Sequence, residues 1–313
     1  MMSFPMQEPQ AEQAPRRVSV IIVSFNDAGA LRRCLTALEA SADRDAFEIL
    51  VVDNGSLDDC PRMDAEFPNI NLLRLPRHFG MVKALNIGMR TARGEFFLFL
   101  EPAMEVTTGA IAALVAQLDA APDAVAVCPL ALGPEGEVVS RLHPLPLPAE
   151  LQRAWLPGDL AGWTAPEPAA CGPVEVDYFK PPAMMVRSYF LKGLRYIDER
   201  YSNSWWDLEI CTQIGRAGRK ILLVPAARVV LHPSGREWSL PSGVRGLLAA
   251  DRALCAAVWC GKHYGWIHGF KFRLAALLRS LASLLTLREP GYRFAVFTCL
   301  LNGQKLDGSQ RAP

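Results

Sequence analysis

Two apolar runs end abruptly in groups able to read a ligand. Val18-Ser-Val-Ile-Ile-Val-Ser-Phe-Asn26 stops at an amide, and Ile49-Leu-Val-Val-Asp-Asn-Gly-Ser56 passes through the Asp53 carboxylate into a turn. Unbroken Val/Ile runs suit parallel strands covered on both faces. Ligands of open α/β sheets sit beyond the carboxyl ends of such strands, so Asn26 and Asp53 stand where a ligand is read. Two strands alone leave a plainer alternative open, in which Asp53 only caps the next helix. The eight cysteines, at 34, 60, 128, 171, 211, 255, 260 and 299, contain no C-x-x-C pair, which argues against a zinc or thioredoxin-like site.

The elements that must position these groups follow from periodicity. Strands are expected near 18–25, 47–53, 70–75, 95–100 and 124–130, with helices near 28–42, 57–66, 79–92 and 107–120. Regular alternation of this kind predicts a doubly wound, mostly parallel sheet. The rhythm breaks at Pro129, because 11 of the 24 prolines fall between 129 and 182. That stretch is too proline-rich for regular helices and reads as a functional loop or a loose insertion. Order returns with strands at Val174–Phe179 and Ala183–Arg187, a helix from Trp206 to Ala217, and strands at Lys220–Val224 and Arg228–His232.

The chain is expected to divide into a disordered, polar tail (1–17), an α/β domain (18–235, with halves 18–105 and 106–235) and a helical extension (236–313). The first part is polar and lacks a secretory signal, so a reducing, cytoplasmic setting is expected. The net charge of +1 hides an asymmetry. Residues 236–313 carry 11 basic and 4 acidic residues, and residues 1–235 carry 22 and 28. In the extension, Phe270, Leu274, Leu277, Leu278, Leu281, Leu284 and Leu285 form one helical stripe, with Lys271, Arg273, Arg279 and Arg288 flanking it or facing away. The uncharged run from Ser280 to Leu287 is too short to span a bilayer. A basic amphipathic helix predicts contact with a membrane surface, the alternative being packing on the domain or on a second subunit.

The two opening runs are followed in order by His78-Phe-Gly80, Ala84-Leu-Asn-Ile-Gly88, Ala92-Arg-Gly-Glu-Phe-Phe-Leu-Phe-Leu100, Ile197-Asp-Glu-Arg-Tyr201, Trp206-Asp-Leu-Glu-Ile-Cys211, Val229-Val-Leu-His232 and Lys262-His-Tyr-Gly265. This ordered set resembles the inverting glycosyltransferases of family 2, and within it bacterial rhamnosyltransferase-like enzymes. The resemblance implies a GT-A fold with a nucleotide-sugar site at the carboxyl edge of the sheet. It implies that Phe25 and Asn26 line the nucleoside pocket and that Asp53 accepts hydrogen bonds from base or ribose. It makes Asp207 the base that deprotonates an acceptor hydroxyl. It places Glu209 where relatives carry a second acid, and Trp205 and Trp206 where rings can stack on a sugar.

The chain departs from the family pattern after the fourth strand. Leu100-Glu-Pro-Ala-Met-Glu105 has Ala103 where a metal-binding aspartate is expected, and Trp206 replaces the acid before Asp207. Three readings follow. Glu101 or Glu105, with His232, holds Mg²⁺ or Mn²⁺. Or Lys83, Arg77, His78 and Arg236 stabilise the leaving diphosphate without metal. Or catalysis is lost and the chain is a nucleotide- or glycan-binding scaffold at the membrane. A nucleotidyltransferase is disfavoured, because Phe25-Asn-Asp-Ala-Gly29 lacks a glycine run and a lysine. The leading expectation is transfer of a sugar, rhamnose by resemblance, from a nucleoside diphosphate to a glycan or lipid-linked hydroxyl. The enzyme would be peripheral on the cytoplasmic membrane face, with no nucleic-acid partner.

Overall fold

The computed structural model describes residues 16–154, 172–179, 183–232, 240–286 and 289–304. The first half alternates as the periodicity predicts. It runs β1 (Val18–Ser24), α1 (Ala28–Glu39), β2 (Phe47–Asp53), α2 (Met63–Glu66), β3 (Asn71–Arg74), α3 (Met81–Thr91), β4 (Phe96–Leu100), β5 (Met104–Val106), α4 (Ala110–Ala120) and β6 (Ala124–Leu132). The second half runs β7 (Leu142–His143), α5 (Pro148–Ala154), β8 (Val174–Val176), β9 (Tyr178–Phe179), β10 (Ala183–Arg187), α6 (Ser188–Gly193), α7 (Trp206–Arg216) and β11 (Lys220–Leu231). Three helices close the chain, α8 (Ser242–Tyr264), α9 (Trp266–Leu284) and α10 (Pro290–Asn302).

Among the described residues, nine strands make one sheet in the order β3-β2-β1-β4-β10-β6-β11-β5, with β8 also on β11. β1 is parallel to β2 and β4, β2 to β3, and β6 to β11. β10 is antiparallel to both β4 and β6, and β5 and β8 are antiparallel to β11. All seven residues of β1 and of β2 are buried. The cause is cover on both faces: Ile21 and Val23 belong to one core, Val20 and Ile22 to the other. α3 reaches the sheet at Gly88, where an added Cβ would lie 2.8 Å from Ile21 Cγ2, so only glycine lets the helix come this close.

The chain passes from β1 to β2 on one side and later crosses to β4 on the other. The ends of β1 and β4 therefore flank a crevice of the kind that binds ligands in doubly wound sheets.

Four local expectations change. Lys220–Val224 and Arg228–His232 are one strand, β11, whose register on β6 shifts between Val224 and Arg228. Val174–Phe179 is two strands. β8 joins the main sheet, whereas β9 pairs with β7. The expected helix at 57–66 shrinks to a 3-10 turn and the single turn α2. The proline-rich stretch contains a helix after all, α5, with Pro148 at its first position, where a missing N–H costs nothing. Residues 155–171 and 180–182 of that stretch lie outside the described residues, as do Arg236 and Arg288. The seven described cysteines are buried free thiols.

Candidate active site

Three loops at the carboxyl edge are stitched together by side chains from the opening motifs. Asn26 sits in the left-handed region at φ 50°. Its N–H donates to Ser56 Oγ over 2.8 Å, and its Oδ1 accepts from the Leu57 N–H over 2.7 Å. Asp53 is buried and accepts from the Ser56 N–H at 3.3 Å. Burial pushes the Asp53 carboxyl up, and the Ser56 bonds partly offset this. Asn54 accepts from the Phe79 N–H over 2.9 Å and donates to Gly80 O over 3.3 Å, tying in the loop that carries His78. The His78 ring meets Phe25 edge-on, with centroids 4.5 Å apart. Phe25, Asn26 and Asp53 thus belong to one wall.

Burial holds the His78 imidazole below its usual value, and its Nδ1 accepts from the Gly80 N–H. Both features work against the positive charge expected of it. Arg77 lies over the Phe79 ring at 5.0 Å. Lys83 is half-buried in the first turn of α3.

The cleft between β1 and β4 is lined by Ile21, Met81, Phe99, Glu101, Asn203 and Trp206, among others. Trp206 stands edge-on to Phe99 at 5.6 Å. Trp205 goes elsewhere. It takes a left-handed backbone before α7, and its Nε1 donates to Arg252 O over 2.9 Å. The two tryptophans part because successive helix-entry residues point in different directions: Trp206 faces the cleft and Trp205 anchors the loop to α8.

Asp207 follows in the first turn of α7, where the helix dipole favours a carboxylate. Its Oδ2 accepts from the hydroxyl of fully buried Tyr178 over 2.9 Å. Burial and the Asp207 charge push the Tyr178 phenol well up, so it stays a donor.

Glu209 lies away from this cleft, in a separate hollow lined by Tyr196, Asp198, Gln213 and Lys262. Its Oε1 accepts from Gln213 at 2.7 Å and pairs with Lys262 Nζ at 2.8 Å. Its Oε2 accepts from Tyr201 at 2.7 Å and from His263 Nε2 at 2.6 Å. Burial pushes the Glu209 carboxyl up, but the bonds from His263, Gln213, Lys262 and Tyr201 outweigh it and hold it at about 2. Lys262 also pairs with Asp198 at 3.0 Å. The segments Ile197–Tyr201, Trp206–Cys211 and Lys262–Gly265, distant in sequence, meet in this network.

The turn after β4 separates the proposed metal ligands. The Met104 N–H donates to Glu101 O at 3.0 Å, which sends Glu101 to the cleft and Glu105 into β5. Pairing of β5 with β11 brings Glu105 Oε1 within 3.1 Å of His232 Nε2, and the His232 N–H donates to Ala103 O at 2.9 Å. Among the described residues, no three His, Cys, Asp or Glu side chains converge as a metal cluster. The expected set of Glu101, Glu105 and His232 therefore reduces to the Glu105–His232 pair. One carboxylate and one imidazole fit a divalent ion that takes its other ligands from phosphate and water.

Sequence reasoning missed Tyr178 and Asn203. Both sit in segments with no chemical signature of their own, and nothing local announces that Tyr178 reaches Asp207 across 29 positions.

The model of the family described as glycosyl transferase family 2 matches residues 19–190. One relative is the N-acetylglucosaminyl-diphospho-decaprenol L-rhamnosyltransferase of Mycobacterium tuberculosis. It is 26% identical over 268 residues, 79% of this chain and 85% of its own length. Among solved structures, GalNAc-T7 with UDP, GalNAc and Mn²⁺ is similar with a TM-score of 0.62 at 17% identity. That likeness covers 93% of this chain but 56% of the other, so this chain spans little more than half its length. S. aureus TarS 1–349 with UDP-GlcNAc has a TM-score of 0.53 at 17% identity over 92% of each chain. The mannosyltransferase PcManGT from Pyrobaculum calidifontis, with GDP-Man and Mn²⁺, has a TM-score of 0.51 at 18% identity, covering 95% and 89%. At these identities the solved structures speak for the fold, which is that of GT-A glycosyltransferases. The family match extends over more than half of the chain and holds the strand-end motifs that build the wall above: the chain belongs to glycosyl transferase family 2.

Proposed function

We propose that this glycosyltransferase moves a sugar, with rhamnose the first candidate, from a nucleoside diphosphate to a hydroxyl of a lipid-linked glycan, with inversion. The observation that carries the proposal is Asp207, held by Tyr178 at the start of α7 directly after Trp206, which lines the β1–β4 cleft. The 26% identity to a rhamnosyltransferase that acts on a diphospho-decaprenol acceptor supports the substrate class.

Asp53, Asn26 and Phe25 hold the nucleoside. Their wall lies at the ends of β1 and β2, next to the cleft. Trp206 offers the acceptor or donor sugar a ring face. Trp205 and Glu209 serve acceptor binding indirectly, by fixing the loop that ends in Trp206. Asp207 takes the proton of the acceptor hydroxyl as its oxygen attacks the anomeric carbon. The new carbon–oxygen bond forms as the bond to the diphosphate breaks on the opposite face, and the diphosphate departs with the electron pair. Glu105 and His232 are the residues suited to hold Mg²⁺ or Mn²⁺, with Glu101 in the cleft lining and Lys83 in the first turn of α3 as further candidates for the diphosphate. When bound, such an ion compensates charge on the leaving diphosphate. The peripheral, cytoplasmic-face setting belongs to the same reading.

Titration calorimetry with UDP, dTDP and GDP, with and without Mn²⁺, tests the donor site. Anomeric proton couplings of the product test inversion. Binding is expected for one nucleotide, and a product of retained configuration removes Asp207 as a direct-displacement base. Nucleotide binding with no transfer to any lipid-linked acceptor returns the scaffold reading.

A further inference from the structure

The outward face of α9 has no part in this chemistry. Trp266, Phe270, Leu274, Leu278, Leu281 and Leu285 recur at spacings of three and four residues, so they share one side of the helix. All six are exposed, Trp266 to 76% and Leu285 to 85%. Single exposed apolar side chains are ordinary, but a contiguous row marks an interaction surface. The row follows a helix about 28 Å long.

The inward face is built from Gly269, Phe272, Ala276 and Ser280. An added Cβ on Gly269 would lie 2.7 Å from Ala257 O and 2.8 Å from Gly261 Cα. Small residues thus seat α9 on α8 and leave the large apolar ones outside. Of the stripe read from the sequence, only Leu277 packs against the core.

Charge selects the occupant. From Arg252 to Arg288 the chain has six basic residues and no acidic one. Lys271 and Arg273 are exposed on either side of the row, and Arg279 is exposed but turned away from it. Arg279 donates to Gln152 O and Arg273 approaches Leu300 O, contacts with carbonyls, and among the described residues no acidic side chain pairs with either. A second copy packed face to face would set these cations against their own counterparts. No described helix is long and apolar enough to cross a membrane.

We infer that this face of α9 seats on an anionic phospholipid surface, with the apolar row at the acyl boundary and Lys271 and Arg273 among the headgroups. The inference deepens the peripheral-membrane reading above and rests on it for its purpose. α8 links the seated face to the site. Its Asp251 accepts from Ser202 and Ser204, its Arg252 carbonyl holds Trp205, and its Lys262 and His263 hold Glu209.

The test is cosedimentation of the full chain with vesicles of phosphatidylcholine alone or mixed with phosphatidylglycerol. Nucleotide calorimetry and sedimentation velocity run in parallel. The wild type is expected to bind the mixed vesicles, less so at high salt, and to leave phosphatidylcholine largely unbound. Phe270→Ser/Leu274→Ser/Leu278→Ser and, separately, Lys271→Gln/Arg273→Gln should each lose about tenfold in partitioning. Both variants should bind nucleotide like the wild type, which shows that they fold. Equal binding to both vesicle types, or none, overturns the inference. A dimer that the triple serine variant dissolves, without vesicle binding, does the same and assigns the face to a second copy. Vesicle binding without binding of any nucleotide sustains the membrane face and sinks the donor-site reading instead.

Discussion

The Tyr178 hydroxyl donates to Asp207 Oδ2 over 2.9 Å from a position with no solvent exposure. A charge-assisted bond from a rigid ring fixes the carboxylate in orientation as well as in place. Tyr178 does not meet substrate in this arrangement; it acts through Asp207. Tyr178→Phe keeps the ring and removes the bond, worth about 1.5–3 kcal/mol for a charged partner. The expected result is a kcat lower by tenfold or somewhat more, with donor KM nearly unchanged and the melting temperature still cooperative. A raised KM at constant kcat would place Tyr178 in substrate binding instead.

Asp207→Asn is nearly isosteric, and its amide oxygen still accepts from Tyr178. Loss of a general base typically costs about 10²–10⁴-fold. Turnover should fall by that factor, while nucleotide affinity measured by calorimetry stays within error of the wild type. An active Asp207→Asn enzyme would require another base.

Ala103 lies beside His232 through the bond from the His232 N–H to Ala103 O, 2.9 Å long. Ala103→Asp adds a carboxylate next to the Glu105–His232 pair. A third protein donor should lower the Mn²⁺ concentration for half-maximal activation, by about tenfold for one added carboxylate. Mn²⁺ titration of the variant without nucleotide reads the same change as binding heat. An unaltered Mn²⁺ response would mean that the ion, if used, sits elsewhere.

Glu209 supplies a pH dependence of stability. Its carboxyl is held at about 2 in the folded chain against an ordinary 4.5. Between those values the unfolded chain binds a proton that the folded chain does not. The contribution is therefore complete above pH 4.5 and lost as pH falls through 4.5 towards 2. It is on the order of 3 kcal/mol. Melts of wild type across this range should show a steep loss. Glu209→Gln should be less stable at pH 7, because Lys262 and His263 lose their buried partner, and should show a flatter slope in acid.

The expectation of a strand, a turn and a ligand-reading residue at 18–26 and 49–56 came directly from unbroken apolar runs, and β1 and β2 lie there. Such runs are legible because both faces of a central parallel strand are buried, so nearly every position is apolar, and the interior exceptions, Ser19 and Glu48, bond each other. Asn26 and Asp53 stood out as the polar groups that end those apolar runs, and Phe25 entered through the family resemblance. Asp207 was reached through a matched segment and not through chemistry, since an acid in a helix's first turn looks the same whether it caps or catalyses.

What a linear chain does not state is which distant residues share a site. Glu101 and Glu105 are four positions apart, yet a turn after β4 sends one to the cleft and the other to β5, where strand pairing supplies His232. The apolar stripe of α9 was visible, but its direction was not. The close contact of Gly269 with α8 goes with a seating that leaves Leu274, Leu278, Leu281 and Leu285 outside and Leu277 against the core. Glu209, read as a second active-site acid, became the centre of a buried network because α8 delivers Lys262 and His263 to it. Sequence by itself determined the elements, through local periodicity and burial. Tertiary structure decided the partners, because hydrogen bonds and ion pairs depend on distances that chain separation does not encode.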